Sequence, residues 1–179
     1  MDQKLEQLKL LGAGDLPHLN GSLIAHLQAT ESILKSWGAS QVLTTAGLFH
    51  AAYGTANANN SMVDLSQRTK IADIIGEPAE AVVYLYCSCD RDYVFPQFGK
   101  SNPIHFKDRF DGSSFALLSE QAKLFCELTA ANDLELVYAS EQFKKNRGAE
   151  LLELFRAMDS YLSPEARVAY QSALSEFAQ

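Results

Sequence analysis

Two histidines, His26 and His50, are the residues of this sequence whose type and spacing point most directly to chemistry. They lie 24 positions apart, in a stretch typical of two consecutive helices joined by a short Trp-Gly-Ala-Ser turn. A histidine on an apolar helix face is usually a hydrogen-bonded core residue, but it can also ligate a metal or act as a general base. Because both occur on neighbouring helices, we expect the two imidazoles to converge on one pocket between antiparallel helices.

Two further side chains close to these helices could take part in catalysis. His18 precedes the first histidine-bearing helix and could reach the opening of the same pocket. Its alternative role is that of a surface or capping residue. Tyr53 follows the second histidine and could donate a hydrogen bond to an anionic intermediate, although its place on an apolar stripe also fits core packing.

Polar side chains further along the chain suit substrate binding. Thr55 could bond a substrate oxygen or simply end the helix. Arg91, as a third catalytic candidate, and Arg109, as a substrate-binding one, could hold a carboxylate or phosphate through paired hydrogen bonds, although most exposed arginines do nothing so specific. His105 lies in an aromatic segment that could close over the pocket, or it is a solvated loop histidine.

The elements that must position these residues are helices, since helical periodicity runs through most of the chain. The pattern predicts an all-α fold in a single domain over residues 1–179. The first expected helices are residues 2–11, a segment capped by Asn20 and ended by Gly38, and a segment started by Ser40 that reaches Tyr53. The later ones are 64–75, 78–89, a long helix through 118–132, 148–161 and 164–177.

The helical pattern breaks between residues 93 and 114, which are rich in aromatic and turn residues. A hairpin around 99–103 would place 94–95 opposite 104–106. A loop of this length inside a compact domain is more often functional than a mere connection. We therefore expect an irregular insertion that partly covers the pocket.

Composition argues against several classes of protein. The formal net charge of −7 at pH 7 argues against nucleic-acid binding, which needs a basic surface to displace phosphate counterions. No apolar run approaches the roughly 18 residues of a membrane-spanning helix, and the first residues do not resemble a signal peptide. Three cysteines cannot all pair within the chain and fit reduced core residues, so we expect a cytoplasmic protein.

The expected partner is a small molecule, with neither nucleic acid nor membrane. We also expect no nucleotide cofactor. Amphipathic helices at both ends of the sequence could pack on the domain or form a homodimer.

The two histidine segments resemble the front half of HD-domain proteins. The resemblance rests on an H-L-x-x-T pattern at 26–30, an A-G-L-F-H pattern at 46–50 and the spacing between their histidines. That all-helical superfamily includes metal-dependent phosphohydrolases and di-iron oxygenases that act on small polyols and phosphonates. The resemblance is specific over about residues 16–55, and it implies an HD-like helical bundle that holds metal through histidines and carboxylates.

The sequence departs from the HD pattern at both acidic positions. Ala51 follows His50 where the family has an aspartate, and Asn132 aligns with the family's late aspartate, with Asp133 one residue away. The segment GLFHAAYGT, at 47–55, looks like a variant group of HD-like proteins with H-x-x-Y-G-T in place of the His-Asp pair.

The missing carboxylates bear directly on metal binding. Two neutral imidazoles bind a divalent cation such as iron, manganese or zinc weakly unless an acid or a substrate oxygen completes the shell. Asp90 is the best candidate to join His26 and His50, because it ends a predicted buried helix. Its alternative role is a solvated carboxylate paired with Arg91.

Two functions follow from these residues. The first is a metal-dependent hydrolase or oxygenase acting on a small polar or phosphorylated metabolite at the His26/His50 pocket. The second is a catalytically degenerate HD fold that binds a small molecule or a protein, as the alanine after His50 suggests.

Overall fold

The computed structural model describes residues 2–13, 17–18, 21–56 and 61–178, with the backbone alone described at 17–18. The fold is mostly α-helical, which confirms the predicted fold class. The chain divides into two compact units, Met1–Ser88 and Cys89–Gln179. The prediction that residues 1–179 form one domain stays a prediction.

The first unit contains five helices and a minimal antiparallel hairpin among its described residues. The hairpin pairs Pro17 with Ser22 and His18 with Gly21. In chain order the elements are α1 (Gln3–Leu10), β1 (Pro17–His18), β2 (Gly21–Ser22), α2 (Leu23–Ser36), α3 (Gln41–Phe49), a 3-10 turn (Leu65–Gln67), α4 (Arg68–Ile75) and α5 (Glu77–Ser88).

Helix α2 carries His26, and its two ends are defined by local hydrogen bonds. The Ser22 hydroxyl oxygen accepts from the Ala25 N–H at 3.3 Å and caps the N-terminus. Asn20, the predicted cap, lies outside the described residues. Gly38 has a φ of +72°, and the next N–H donates to the Leu34 carbonyl, which completes a Schellman motif. The predicted stop at Gly38 is therefore confirmed.

Helix α3 begins as predicted but ends earlier. Ser40 caps it by accepting from the Leu43 N–H, and the helix ends at Phe49 with His50 as its C-cap. The predicted continuation to Tyr53 is wrong, because the chain leaves the helix through tight turns that close at Gly54, whose φ is +72°.

Gly47 lies at the contact between α2 and α3. A Cβ atom at this position would lie 2.5 Å from Leu34 Cδ1 and 3.7 Å from the Glu31 backbone, so the glycine leaves room for the Leu34 side chain at the helix contact. From the sequence, a glycine here is expected to let another backbone or a ligand come close to His50. The backbone of α2 does come close, at Glu31, and the approach of a ligand stays a prediction. Close helix contact explains a residue that would otherwise cost helix stability.

Helix α5 is central to the first unit, as its apolar composition predicts. It packs against both α3 and α4, and residues on most of its circumference are shielded from solvent. The buried residues are Ala79, Glu80, Val82, Val83, Leu85, Tyr86, Cys87 and Ser88.

The second unit combines three long helices with a short helix and a hairpin. Helix α8 begins at Glu141, seven residues before the predicted start, because the Ser140 hydroxyl accepts from the Phe143 N–H and caps it. The elements are α6 (Arg91–Val94), a 3-10 turn (Phe95–Gln97), β3 (His105–Lys107), β4 (Ser114–Ala116), α7 (Ser119–Ala139), α8 (Glu141–Met158) and α9 (Pro164–Ala173).

A hairpin does occur in the irregular segment, but between other residues than predicted. Strand β3 pairs with β4, with Phe106 opposite Phe115, whereas 94–97 is helical. The Gln97 side chain donates to the His105 carbonyl and accepts from the His105 N–H. These two backbone groups of β3 therefore bond a side chain, where the prediction placed a paired strand. The predicted cover over the pocket stays a prediction.

The cysteine prediction is confirmed, since Cys87, Cys89 and Cys126 are free and buried. Burial raises the pKa of the Cys89 thiol to about 12, because a thiolate is poorly solvated there. In the part of the chain that the structure describes, none of the helices has the length and apolarity needed to cross a membrane.

We expect Ser40→Ala to lower the free energy of unfolding by about 1 kcal/mol, because it removes the side-chain acceptor at the start of α3. Urea unfolding followed by fluorescence of Trp37, the single tryptophan, measures this in the first unit. Ser36→Ala is the matched control, since its exposed hydroxyl contacts the Ile33 carbonyl and caps no helix N-terminus. Equal unfolding midpoints for the two variants would contradict the assigned cap.

Candidate functional site

The structure brings together the two histidines that the sequence singles out. The Nε2 atoms of His26 and His50 lie 3.2 Å apart, and the rings meet edge-on at an interplanar angle of 76°. The two residues are 4% and 3% exposed, so the pair is shielded from bulk water. His26 is contributed by α2 and His50 by the end of α3.

The hydrogen bond at the other nitrogen of His50 assigns its tautomer. His50 Nδ1 lies 2.7 Å from the Gly47 carbonyl oxygen, which can only accept a hydrogen bond. Nδ1 therefore carries the hydrogen, and Nε2 presents a lone pair towards His26. That lone pair can accept a hydrogen from His26 Nε2 or bind a cation that both nitrogens share.

Helix α5 contacts His50 through two consecutive residues. Cys87 Sγ donates to the His50 backbone carbonyl at 3.0 Å. The Tyr86 ring meets the imidazole edge-on, with centroids 5.5 Å apart. These contacts fix both the backbone and the ring of His50.

His26 is held within α2 itself. The Thr30 hydroxyl donates to the His26 carbonyl at 2.9 Å, and Thr30 is fully buried. Thr30 is the threonine of the H-L-x-x-T pattern, and its buried hydroxyl finds its acceptor at this helical carbonyl.

The separation of the two nitrogens fits a shared metal ion. Zinc–imidazole bonds of about 2.0–2.1 Å at a tetrahedral angle place two nitrogens roughly 3.3–3.4 Å apart. The observed 3.2 Å also lies at the long end of the hydrogen-bond range. Among the described residues, no group of three or more histidines, cysteines or acids is placed to hold a metal. The pair therefore supplies two nitrogen ligands and leaves the rest of a shell to other donors.

A buried carboxylate lies near the end of α3, and sequence reasoning missed it. Glu80 accepts from the Tyr53 hydroxyl at 2.8 Å and from two guanidinium nitrogens of Arg68 at 2.7 and 2.9 Å. The Arg68 guanidinium also lies 3.6 Å above the centre of the Tyr84 ring. The three hydrogen-bonded residues are far apart in the sequence, on the turn after α3 and on two different helices. Their spacing therefore does not predict the contacts.

The Tyr53 hydroxyl is committed to Glu80 in this arrangement. Burial raises its pKa well above the ordinary range, and the hydrogen bond to Glu80 raises it further. Tyr53 thus remains a protonated donor whose hydrogen is already used. Its predicted catalytic role stays a prediction.

Thr55 and His18 are the other predicted site residues of the first unit. Thr55 is buried, at 8% exposure, just after the Gly54 turn. The side chain of His18 lies outside the described residues. Substrate binding by Thr55 and catalysis by His18 stay predictions.

In the second unit, the predicted metal ligand Asp90 has a local structural role. Its carboxylate caps α6 by accepting from the Tyr93 N–H and lies 3.4 Å from Lys107 Nζ. The ionic partner is therefore Lys107, where the sequence suggested Arg91. Metal ligation by Asp90 stays a prediction.

The remaining predicted residues are distributed over the second unit. The Arg91 guanidinium lies 5.5 Å from the centre of the Phe95 ring, and that of Arg109 lies 4.3 Å from Phe110. His105 is exposed on β3. Their roles in catalysis and substrate binding stay predictions.

The two residues considered for the late acidic position lie in the middle of α7. The Asn132 amide donates to the Asp133 carboxylate at 2.9 Å. Asp133 is buried and Asn132 is half-buried, so the acid is the more enclosed of the two.

One family model, described as a domain of unknown function (DUF6817), matches residues 7–91 of the chain. The match includes both histidines, the Glu80 cluster and all of α5. No curated protein and no solved structure matches the chain significantly.

We expect Tyr53→Phe to lower the free energy of unfolding at pH 7 by about 1 kcal/mol, because it removes a buried hydrogen bond. Its raised pKa means that the folded state keeps a proton that the unfolded chain releases near pH 10. Wild-type stability should then fall above about pH 10, and the deficit of the variant should shrink there.

Urea titrations between pH 7 and 11 measure this difference. The control Tyr93→Phe removes an exposed hydroxyl and should leave the free energy of unfolding at pH 7 unchanged. A Tyr53→Phe deficit that is absent at pH 7, or that grows above pH 10, would contradict the assigned bond.

Proposed function

We propose that His26 and His50 bind one divalent transition metal, either iron, manganese or zinc. We further propose that the protein is a metal-dependent hydrolase or oxygenase acting on a small polar or phosphorylated metabolite. The observation that carries this proposal is the 3.2 Å separation of two buried Nε2 atoms.

The surroundings of His50 support a ligand role. Metal-binding histidines commonly donate their second ring N–H to a carbonyl or carboxylate, which fixes the tautomer and the ring orientation. The Gly47 carbonyl provides this partner at 2.7 Å and leaves the Nε2 lone pair of His50 directed towards His26, where the metal would be held.

The chemistry of the reaction would be divided between the metal and the protein. When bound, a metal at this position would polarise a substrate oxygen or lower the pKa of a bound water. The two histidines would hold it, and the near absence of solvent around them would strengthen its electrostatic effect. The substrate class comes from the resemblance to HD-domain proteins, which we extend here as a proposal.

A second candidate is a catalytically degenerate HD fold that acts as a small-molecule or protein binding module. Ala51, in place of the HD aspartate, favours it, as does the lack of a three-ligand group within the described residues. In that case His26 Nε2–H donates to His50 Nε2, and the pair is a hydrogen-bonded element of the core.

The proposed setting is the cytoplasm, which agrees with three free, buried cysteines. The proposed partner is a small polar ligand. A homodimer stays a prediction, which light scattering can test.

The test is metal analysis of protein purified without a metal-affinity tag. We expect about one equivalent of iron, manganese or zinc in the wild type and near-complete loss in His26→Ala and in His50→Ala. His105→Ala is the matched control, because it removes an exposed histidine of the second unit and should retain the metal.

Metal-loaded wild type should then turn over small phosphoesters or show oxygen-dependent turnover, and the two ligand variants should not. A wild type without metal after reconstitution with each of the three ions would overturn the proposal and favour the binding module. Metal that survives both alanine substitutions would place the centre elsewhere.

A further inference from the structure

A cysteine of α5 provides the contact that holds the end of α3 at the candidate centre. Cys87 is fully buried, and its Sγ lies 3.0 Å from the backbone carbonyl oxygen of His50. We propose that Cys87 is a positioning residue, which orients the His50 imidazole through this hydrogen bond. The consequence for metal affinity rests on the proposed function.

The need for this donor follows from where α3 ends. His50 is the C-cap, and the last carbonyls of a helix lack partners within the helix. A buried carbonyl must therefore find a donor elsewhere, and the Cys87 thiol supplies one.

The position of the His50 backbone also determines the orientation of the His50 imidazole. The Nδ1–H of His50 must turn back to the Gly47 carbonyl, three residues earlier, for Nε2 to face His26. A shift of the His50 backbone would lengthen that 2.7 Å bond and turn the lone pair away. The Tyr86 ring adds a second α5 contact at the imidazole itself.

Cys87 acts here as a donor, and burial of the thiol keeps it away from solvent reagents. Cys87→Ser keeps an O–H donor of similar size, whereas Cys87→Ala removes the donor. Cys126→Ala is the matched control, because that cysteine is equally buried but belongs to the second unit.

The first readout uses metal-free protein labelled with ¹⁵N-histidine. We expect the wild type and Cys87→Ser to show His50 as the Nδ1-protonated tautomer with one set of sharp signals. Cys87→Ala should show exchange-broadened or shifted His50 signals, and Cys126→Ala should match the wild type. Unchanged His50 signals in Cys87→Ala would overturn the inference.

If Cys87→Ala does not fold, Cys87→Val removes the donor while filling the space, and the same comparison applies. An unfolded alanine variant together with wild-type signals in the valine variant would also overturn the inference.

The second readout is titration with Co²⁺, followed by visible absorbance. We expect about tenfold weaker binding in Cys87→Ala, the lower end for residues that orient a ligand, and recovery in Cys87→Ser. Equal affinity in all variants would overturn the positioning role. A wild type that binds no Co²⁺ would contradict the proposed function instead, and the tautomer signals would still decide the role of Cys87.

Discussion

The close packing of α2 against α3 is the constraint on which the rest of the candidate centre depends. Gly47 lies at this contact, where an added Cβ would lie 2.5 Å from Leu34 Cδ1 and displace the Leu34 side chain. The same residue supplies the carbonyl that accepts from His50 Nδ1. Position 47 therefore lies at the helix contact and also supplies the backbone acceptor that sets the tautomer of the histidine that ends the second helix.

Burial requires the polar groups near the α2–α3 contact to be paired. A buried donor or acceptor costs free energy unless it is paired, so each polar group here has a specific partner. Glu80 is paired with Arg68 and Tyr53, and the His50 carbonyl is paired with Cys87. The two Nε2 atoms face each other at 3.2 Å, a distance that suits either a shared proton or a shared metal ion.

Much of this arrangement is local and could be predicted from the sequence. Ser40 and Gly38 act as cap and stop because their preferred backbone and side-chain geometries are intrinsic to the residue types. The meeting of His26 and His50 follows from helical spacing on two consecutive helices.

The parts that could not be predicted depend on long-range contacts. The Arg68–Glu80–Tyr53 cluster joins two helices and a turn, and the Gln97 side chain bonds the backbone of β3 at His105. The close approach at Gly47 could be expected, but the sequence does not reveal that Leu34 and the backbone at Glu31 are the neighbours. None of these long-range contacts can be recognised from the spacing of residues in the sequence.

The central claim is that two imidazoles share one metal ion, and anomalous diffraction tests it most directly. Crystals of protein purified without a metal-affinity tag would be measured on both sides of the iron, manganese and zinc absorption edges. The account predicts one anomalous peak about 2.0–2.2 Å from both Nε2 atoms. Well-ordered histidines with no peak between them, and with the nitrogens at hydrogen-bond distance, would contradict it.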